Sequence, residues 1–161
     1  MFLYKKANRA ELERIWDRNI ADNPGDARYL RWKKQFLDDN ASGAAATFVV
    51  VRDGEPVGEG TLLLSPACRA IRGRTSLCDG VKTANINALR IRKEFEGQGH
   101  ISAMMKEMEQ YARSVGITQL TIGVEPAEAR NLSIYLHWGF TQFLMAEEED
   151  GCLVLYYGKD I

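Results

Sequence analysis

Two glycines one residue apart, Gly97 and Gly99, sit in the turn Glu96-Gly97-Gln98-Gly99-His100. Before them, Asn85-Ile86-Asn87-Ala88-Leu89-Arg90-Ile91 reads as a strand. After them, Ile101 to Ala112 reads as a helix. This spacing suits an anion. Glycine takes dihedrals that other residues resist and lets a ligand approach the backbone. The first amides of a helix have no partner inside it, and the helix dipole adds roughly half a positive charge there. A phosphate is the natural occupant. The plainer reading is a tight turn packing strand on helix, which glycine also serves. No Gly-Lys-Ser or Gly-Lys-Thr follows, so this is not a nucleoside-triphosphate loop. Ser102 stands where a dinucleotide fingerprint needs a third glycine or alanine.

The elements that must hold this turn are legible. Ile101, Met104, Met105, Met108, Tyr111, Ala112 and Val115 recur at three and four, one buried helix stripe. Gly116 is placed for a left-handed C-cap, and Gln119 to Val124 forms the next strand. Strand, helix and strand in succession call for a parallel pair with a right-handed crossover.

Upstream, Phe2 to Lys6 reads as a strand, and Asn8 is a good N-cap for a helix over Arg9–Asn19 with Leu12, Ile15 and Trp16 on one face. Asn23 to Asp26 is a turn or helix start. Ala27 to Asp38 reads as a second helix, with Tyr29, Leu30, Trp32, Phe36 and Leu37 apolar, broken by Asp39 to Gly43. Thr47–Arg52 and Pro56–Ser65 flank Asp53-Gly54-Glu55, a strong hairpin signal. Pro66 to Lys82 is irregular and carries Arg69, Arg72 and Arg74. Ala129 to Trp138 reads as a short helix ended by Gly139. Phe140–Glu147 and Cys152–Tyr157 read as a final hairpin around Glu148 to Gly151. The order β-α-α-β-β-β-α-β-α-β-β implies an α/β (α+β) fold, a mixed sheet of about seven strands flanked by about four helices. At 161 residues one domain, 1–161, is expected.

Composition narrows the partners. A net charge of −1 argues against nucleic acid or an anionic membrane surface. Apolar runs such as Thr47 to Val51 are too short to span a bilayer, and Met1 to Lys6 meets charge too early for a signal peptide. Cys68, Cys78 and Cys152 are odd in number and lack metal-ligand spacing, so no metal and a reduced cytoplasmic setting are expected. Edge strands and the Trp-rich second helix leave a homodimer open.

Leu89-x-Ile91, Phe95-x-Gly97-Gln98-Gly99, the Met-rich helix and Ile134-Tyr135-x-x-x-Gly139-Phe140 together resemble the GCN5-related N-acetyltransferases, the GNAT superfamily. The element order along the whole chain agrees, and the specific motifs lie between Leu89 and Phe140. The resemblance implies the acyl-CoA N-acyltransferase fold, its sheet partly splayed, with acetyl-CoA as cosubstrate between the strands Asn85–Arg92 and Gln119–Val124. It implies that Leu89, Arg90 and Ile91 line the pantetheine. The turn Glu96, Gly97, Gln98, Gly99, His100, Ile101 and Ser102 would take the pyrophosphate, and Asn131 would also serve the coenzyme. It implies that Tyr135 hydrogen-bonds the leaving sulfur, although a core aromatic would fit its position too. Glu125, after the second splayed strand, is a candidate base or a plain loop carboxylate. Asn85, Asn87 and Asp79 are candidates to order a relay water or are strand-end polarity. Three positions depart from the family pattern: Glu96 before the first glycine, Ile101 in place of a small residue, and Glu128 where Asn is common.

The expected activity is transfer of an acetyl group to a primary amine of a small molecule or peptide by direct attack in a ternary complex. Freeing an alkyl amine of pKa near ~10 at pH 7 costs about 4 kcal/mol, so a base or water relay is required. The thioester oxygen needs a donor, for which the Ile91 amide is the candidate. The alternative is a non-catalytic acyl-CoA sensor or interaction module on the same fold.

Overall fold

The computed structural model describes all 161 residues. The elements are β1 (Phe2–Lys6), α1 (Arg9–Asp22), α2 (Arg28–Ser42), β2 (Ala45–Arg52), β3 (Glu55–Leu63), β4 (Thr83–Ile91), α3 (His100–Ser114), β5 (Gln119–Val124), α4 (Ala129–His137), β6 (Gln142–Glu149) and β7 (Cys152–Asp160). Their order is the one expected. The strands form one seven-stranded sheet, β1-β2-β3-β4-β5-β7-β6. β4 and β5 are parallel; β1 with β2, β5 with β7 and β6 with β7 are antiparallel. Contacts divide the chain into two compact units: Met1–Leu62 with Ala88–Tyr111, and Leu63–Asn87 with Ala112–Ile161.

In the first unit, Asn8 caps α1 reciprocally. Its Oδ1 accepts from the Glu11 amide at 2.8 Å, and Glu11 Oε2 accepts from the Asn8 amide at 2.9 Å. Leu12, Ile15 and Trp16 are buried, and Ile15 packs on Val49 and Val51 of β2. Asp53 (φ 50°) and Gly54 (φ 84°) make the two left-handed residues of the tight hairpin turn between β2 and β3. α2 corrects the sequence reading: it continues past Asp38 to Ser42, and Gly43 (φ 83°) ends it. Asn40, expected to break the helix, is held by its own side chain. Its Nδ2 donates to the Phe36 carbonyl and to Thr47 Oγ1, and its Oδ1 accepts from the Thr47 amide at 2.8 Å. The apolar positions of α2 are at most half-buried, and Leu30 is 62% exposed, so this helix contributes no fully buried side chain.

In the second unit, the β4–β5 ladder covers Thr83–Ile86 against Gln119–Ile122. Asp79 Oδ1 pins its start by accepting from the amides of Val81, Lys82 and Thr83 at 2.8–2.9 Å. Those bonds hold its carboxyl below the usual range, the Thr83 amide foremost. Asn85 Nδ2 reaches Thr121 Oγ1 at 2.9 Å, and that hydroxyl donates to the Leu77 carbonyl at 2.7 Å. Both polar residues therefore serve strand anchoring. The β6–β7 tip is a correction as well. It is only Asp150 (φ 51°) and Gly151 (φ 81°), with Glu148 and Glu149 still in β6. Glu149 accepts from the Tyr156 hydroxyl at 2.5 Å, and Arg74 pairs with Glu147 and Glu149, each at 2.9 Å. Arg74 also donates to the carbonyls of Ala70 and Ile71, so it and Glu149 are drawn in from solvent while Glu147 stays exposed.

Candidate active site

β4 changes character along its length. Thr83 to Ile86 are buried, while Asn87 to Ile91 are only partly so. The ladder to β5 stops at Ile86 and Ile122, although β4 runs on to Ile91 and β5 to Val124. Ala88, two residues past the last paired residue, takes a left-handed φ of 56°. That conformation is uncommon without a glycine and breaks the strand's regular hydrogen-bonding rhythm.

In the first unit, β4 leads into a short 3₁₀ turn over Lys93–Phe95 and then the glycine turn. Gly97 (φ 72°) and Gly99 (φ 83°) both need left-handed backbone, and a Cβ on Gly99 would meet nothing within 4 Å. The Ala103 amide donates to the Gly99 carbonyl at 3.0 Å, so the amides of His100, Ile101 and Ser102 precede the helical ladder of α3. The side chains of the turn fold back to brace it. Gln98 Nε2 donates to the Glu94 carbonyl at 3.1 Å, and Gln98 Oε1 meets His100 Nε2 at 3.2 Å. His100 is buried rather than exposed. Its Nδ1 lies 2.9 Å from the Tyr4 hydroxyl, and its ring stacks on Phe2 with centroids 4.0 Å apart. Both ring nitrogens of His100 are thus engaged within the protein. Glu96 is exposed, and Ile101 is half-buried.

In the second unit, α4 carries Asn131 and Tyr135, both half-buried, and Glu125 follows β5, also half-buried. The Tyr135 ring lies 5.8 Å from that of Trp138. Burial, with the Glu128 carboxylate adding to it, pushes the Tyr135 phenol up to about 12. The phenol is therefore neutral and able to donate at any physiological pH. His137 is exposed on the same helix.

A cluster of functional type lies outside the sequence reading. Glu59 of β3 is 1% exposed. Its Oε1 accepts from Asn19 Nδ2 at 2.8 Å and from Arg90 Nη1 at 2.9 Å, while Oε2 has no partner. Burial raises the Glu59 carboxyl above its ordinary range against the pull of Arg90. No sequence pattern signals this, because the partners come from positions about 30 to 40 residues away in either direction. No group of three or more His, Cys, Asp or Glu side chains is placed to share a metal ion. No helix is long and apolar enough to cross a membrane.

Residues 8–140 match the acetyltransferase (GNAT) family. The chain belongs to that family. Solved structures of the same fold include a ribosomal-protein-alanine N-acetyltransferase from Brucella melitensis, 16% identical over 99% of each chain with a TM-score of 0.71. The PaiA N-acetyltransferase of Thermoplasma acidophilum, solved in complex with coenzyme A, is 14% identical over 100% of this chain and 99% of its own, with a TM-score of 0.68. The yncA protein of Salmonella typhimurium, solved with its cofactor acetyl-CoA, is 13% identical over 99% and 94%, with a TM-score of 0.72. No curated protein is significantly similar in sequence.

Proposed function

We propose that this chain, working as a single domain over 1–161, is an N-acetyltransferase that moves an acetyl group from acetyl-CoA to a primary amine of a small molecule or peptide. The observation that carries this is the end of the β4–β5 ladder at Ile86, followed by a turn in which Gly97 and Gly99 are both left-handed and nothing stands within 4 Å of where a Gly99 Cβ would be. Relatives of the same fold solved with coenzyme A or acetyl-CoA support it. Acetyl-CoA supplies an acetyl group already activated as a thioester.

Each residue then has a role. The backbone of Leu89 and Ile91, past the last residue paired to β5, hydrogen-bonds the pantetheine and the acetyl oxygen, with Arg90 between them. The amides from Gln98 to Ser102 take the pyrophosphate, with Gly97 and Gly99 shaping the turn and Gln98 and His100 holding it rigid through their side chains. Glu96 is exposed to solvent, and Ile101 sets how closely the backbone approaches. Asn131 adds a contact to the coenzyme. Tyr135 donates its proton to the departing sulfur, and Glu125 accepts the proton of the amine, directly or through water. The amine attacks without a covalent enzyme intermediate, and the scheme calls for no metal. The acceptor is an amine rather than nucleic acid or membrane. A cytoplasmic setting and a homodimer complete the proposal.

The test is an amine panel read by thiol release, paired with thermal melts. Acetyl-CoA is expected to raise the melting temperature, since a ligand bound only by the native state adds about 2.7 kcal/mol at a hundred times Kd. At least one amine class is expected to release thiol. The absence of any shift at millimolar acetyl-CoA would overturn the reading. A shift without thiol release across the panel favours the second reading, a non-catalytic acyl-CoA sensor, which the exposed carboxylate of Glu96 beside the phosphate turn motivates.

A further inference from the structure

Arg90 leaves β4 between the two residues proposed to hold the thioester, and its side chain goes to a different face from Leu89. Leu89 shares the space over Gly60 with Met104 and Met108 of α3. Arg90 instead lies over the ring of Trp16 on α1, with its Cζ 5.3 Å from the centroid. Its Nη1 is bonded to Glu59 at 2.9 Å. The pair is one-pronged: Asn19 and Arg90 both donate to Oε1 of Glu59, and Oε2 accepts from neither. Nε and Nη2 of Arg90 have no protein partner, and the side chain is 37% exposed. Glu59 and Trp16 are each about 1% exposed, and each holds an orphan polar atom, Oε2 and Nε1.

A buried carboxylate paired this way is weak as a stabilising device, because desolvation offsets the attraction. Orphaned buried polar atoms call for an explanation, and a ligand site is one. What the arrangement does well is orient a guanidinium. It has a ring beneath, an anchor on one edge and a free edge of two donors in the fork geometry that fits a carboxylate. We infer that Arg90, held by Glu59, Asn19 and Trp16, anchors the acceptor through a carboxylate, so that the acceptor is an amine bearing an acid group, an amino acid or a peptide with an acidic residue near its terminus. This rests on the acetyltransferase reading. Arg90 is the specificity residue; Glu59, Asn19 and Trp16 are positioning residues.

The test compares amino acids with their amides, in two assays. In the first, acetyl transfer is measured by thiol release. In the second, binding to the protein saturated with coenzyme A is measured by calorimetry. Wild-type protein is expected to prefer the acid over its amide by roughly tenfold to a hundredfold, chiefly in KM, the range of one charge-assisted bond. Arg90→Gln is expected to bring that ratio near one, Arg90→Lys to leave it intermediate, and Glu59→Gln to weaken it without abolishing it. A purely structural pair would move the melting temperature and leave the ratio alone, and that result overturns the inference. So does a wild-type protein that prefers amides or binds no acid. Acid binding that depends on Arg90, without transfer, sinks the acetyltransferase reading and upholds the subsite. Should Arg90→Gln fail to fold, the Arg90→Lys ratio and the wild-type preference decide.

Discussion

At the scale of single residues, Tyr135 is the sharpest case. Its phenol is held up to about 12, so it is protonated across the whole working range and sits in the state a proton donor needs. Tyr135→Phe is expected to lower kcat by about 10²-fold or more while the KM for acetyl-CoA stays within about twofold, measured by steady-state thiol release. The sign of the pH effect follows from the raised value. Activity that depends on the phenol is lost only as pH climbs toward 12, so no falling limb from Tyr135 appears near pH 10, where an ordinary tyrosine titrates. Equal losses in kcat and coenzyme binding would remove the donor role. The motif around Tyr135 was readable in the sequence; the Glu59–Arg90 pair was not. Glu59 sits between two glycines in a strand that reads only as a hairpin arm, and β3 is buried from Pro56 to Leu63. Helix α1, about 40 residues earlier, covers it, and no local pattern encodes that.

At the scale of elements, the packing of β3 on β4 and α3 is the tightest point of the site. A Cβ added at Gly60 would lie 2.7 Å from Leu89 Cδ2 and 2.9 Å from Met104 Cε. These are ends of flexible side chains and can shift, but Leu89 belongs to the strand segment proposed to hold the pantetheine. Gly60→Ala is expected to destabilise by about 1–3 kcal/mol, seen as a lower denaturant midpoint at unchanged slope, and to weaken acetyl-CoA binding. A variant as stable as wild type with unchanged affinity would show that this contact does not set the site. Helix α3 was legible from its three-and-four stripe, and the hairpin turn from Asp53-Gly54. The end of α2 was not, because Asn40 breaks helices in general but here has its amide bonded to the Phe36 carbonyl and to Thr47. The length of the last hairpin loop was overread for a related reason. Glu148 and Glu149 look like loop residues, yet Glu149 stays in strand geometry with Tyr156 and Arg74 as partners.

At the scale of the molecule, the order of elements gave the fold, and the family match and solved relatives agree with it. The acceptor was not legible at this scale, since side chains from distant elements, not a contiguous motif, would build its pocket. Cysteines offer a global measure of the native state. Cys68 and Cys78 are buried and Cys152 is exposed, and burial, as the largest cause, pushes the Cys78 thiol up. A thiol reagent is expected to modify Cys152 rapidly in native protein and the other two at the rate of opening. Rapid labelling of all three under native conditions would show that the core is not closed as described.

The left-handed turn of Ala88 carries one more implication. An alanine there gives up on the order of 1 kcal/mol that glycine would keep, since the left-handed region penalises any Cβ. Selection for heat resistance would favour glycine at this position. Selection for a stiff, pre-shaped strand end would keep the methyl group. A chain that holds alanine at this bend is trading thermal margin for geometry two residues past the last β4–β5 pair.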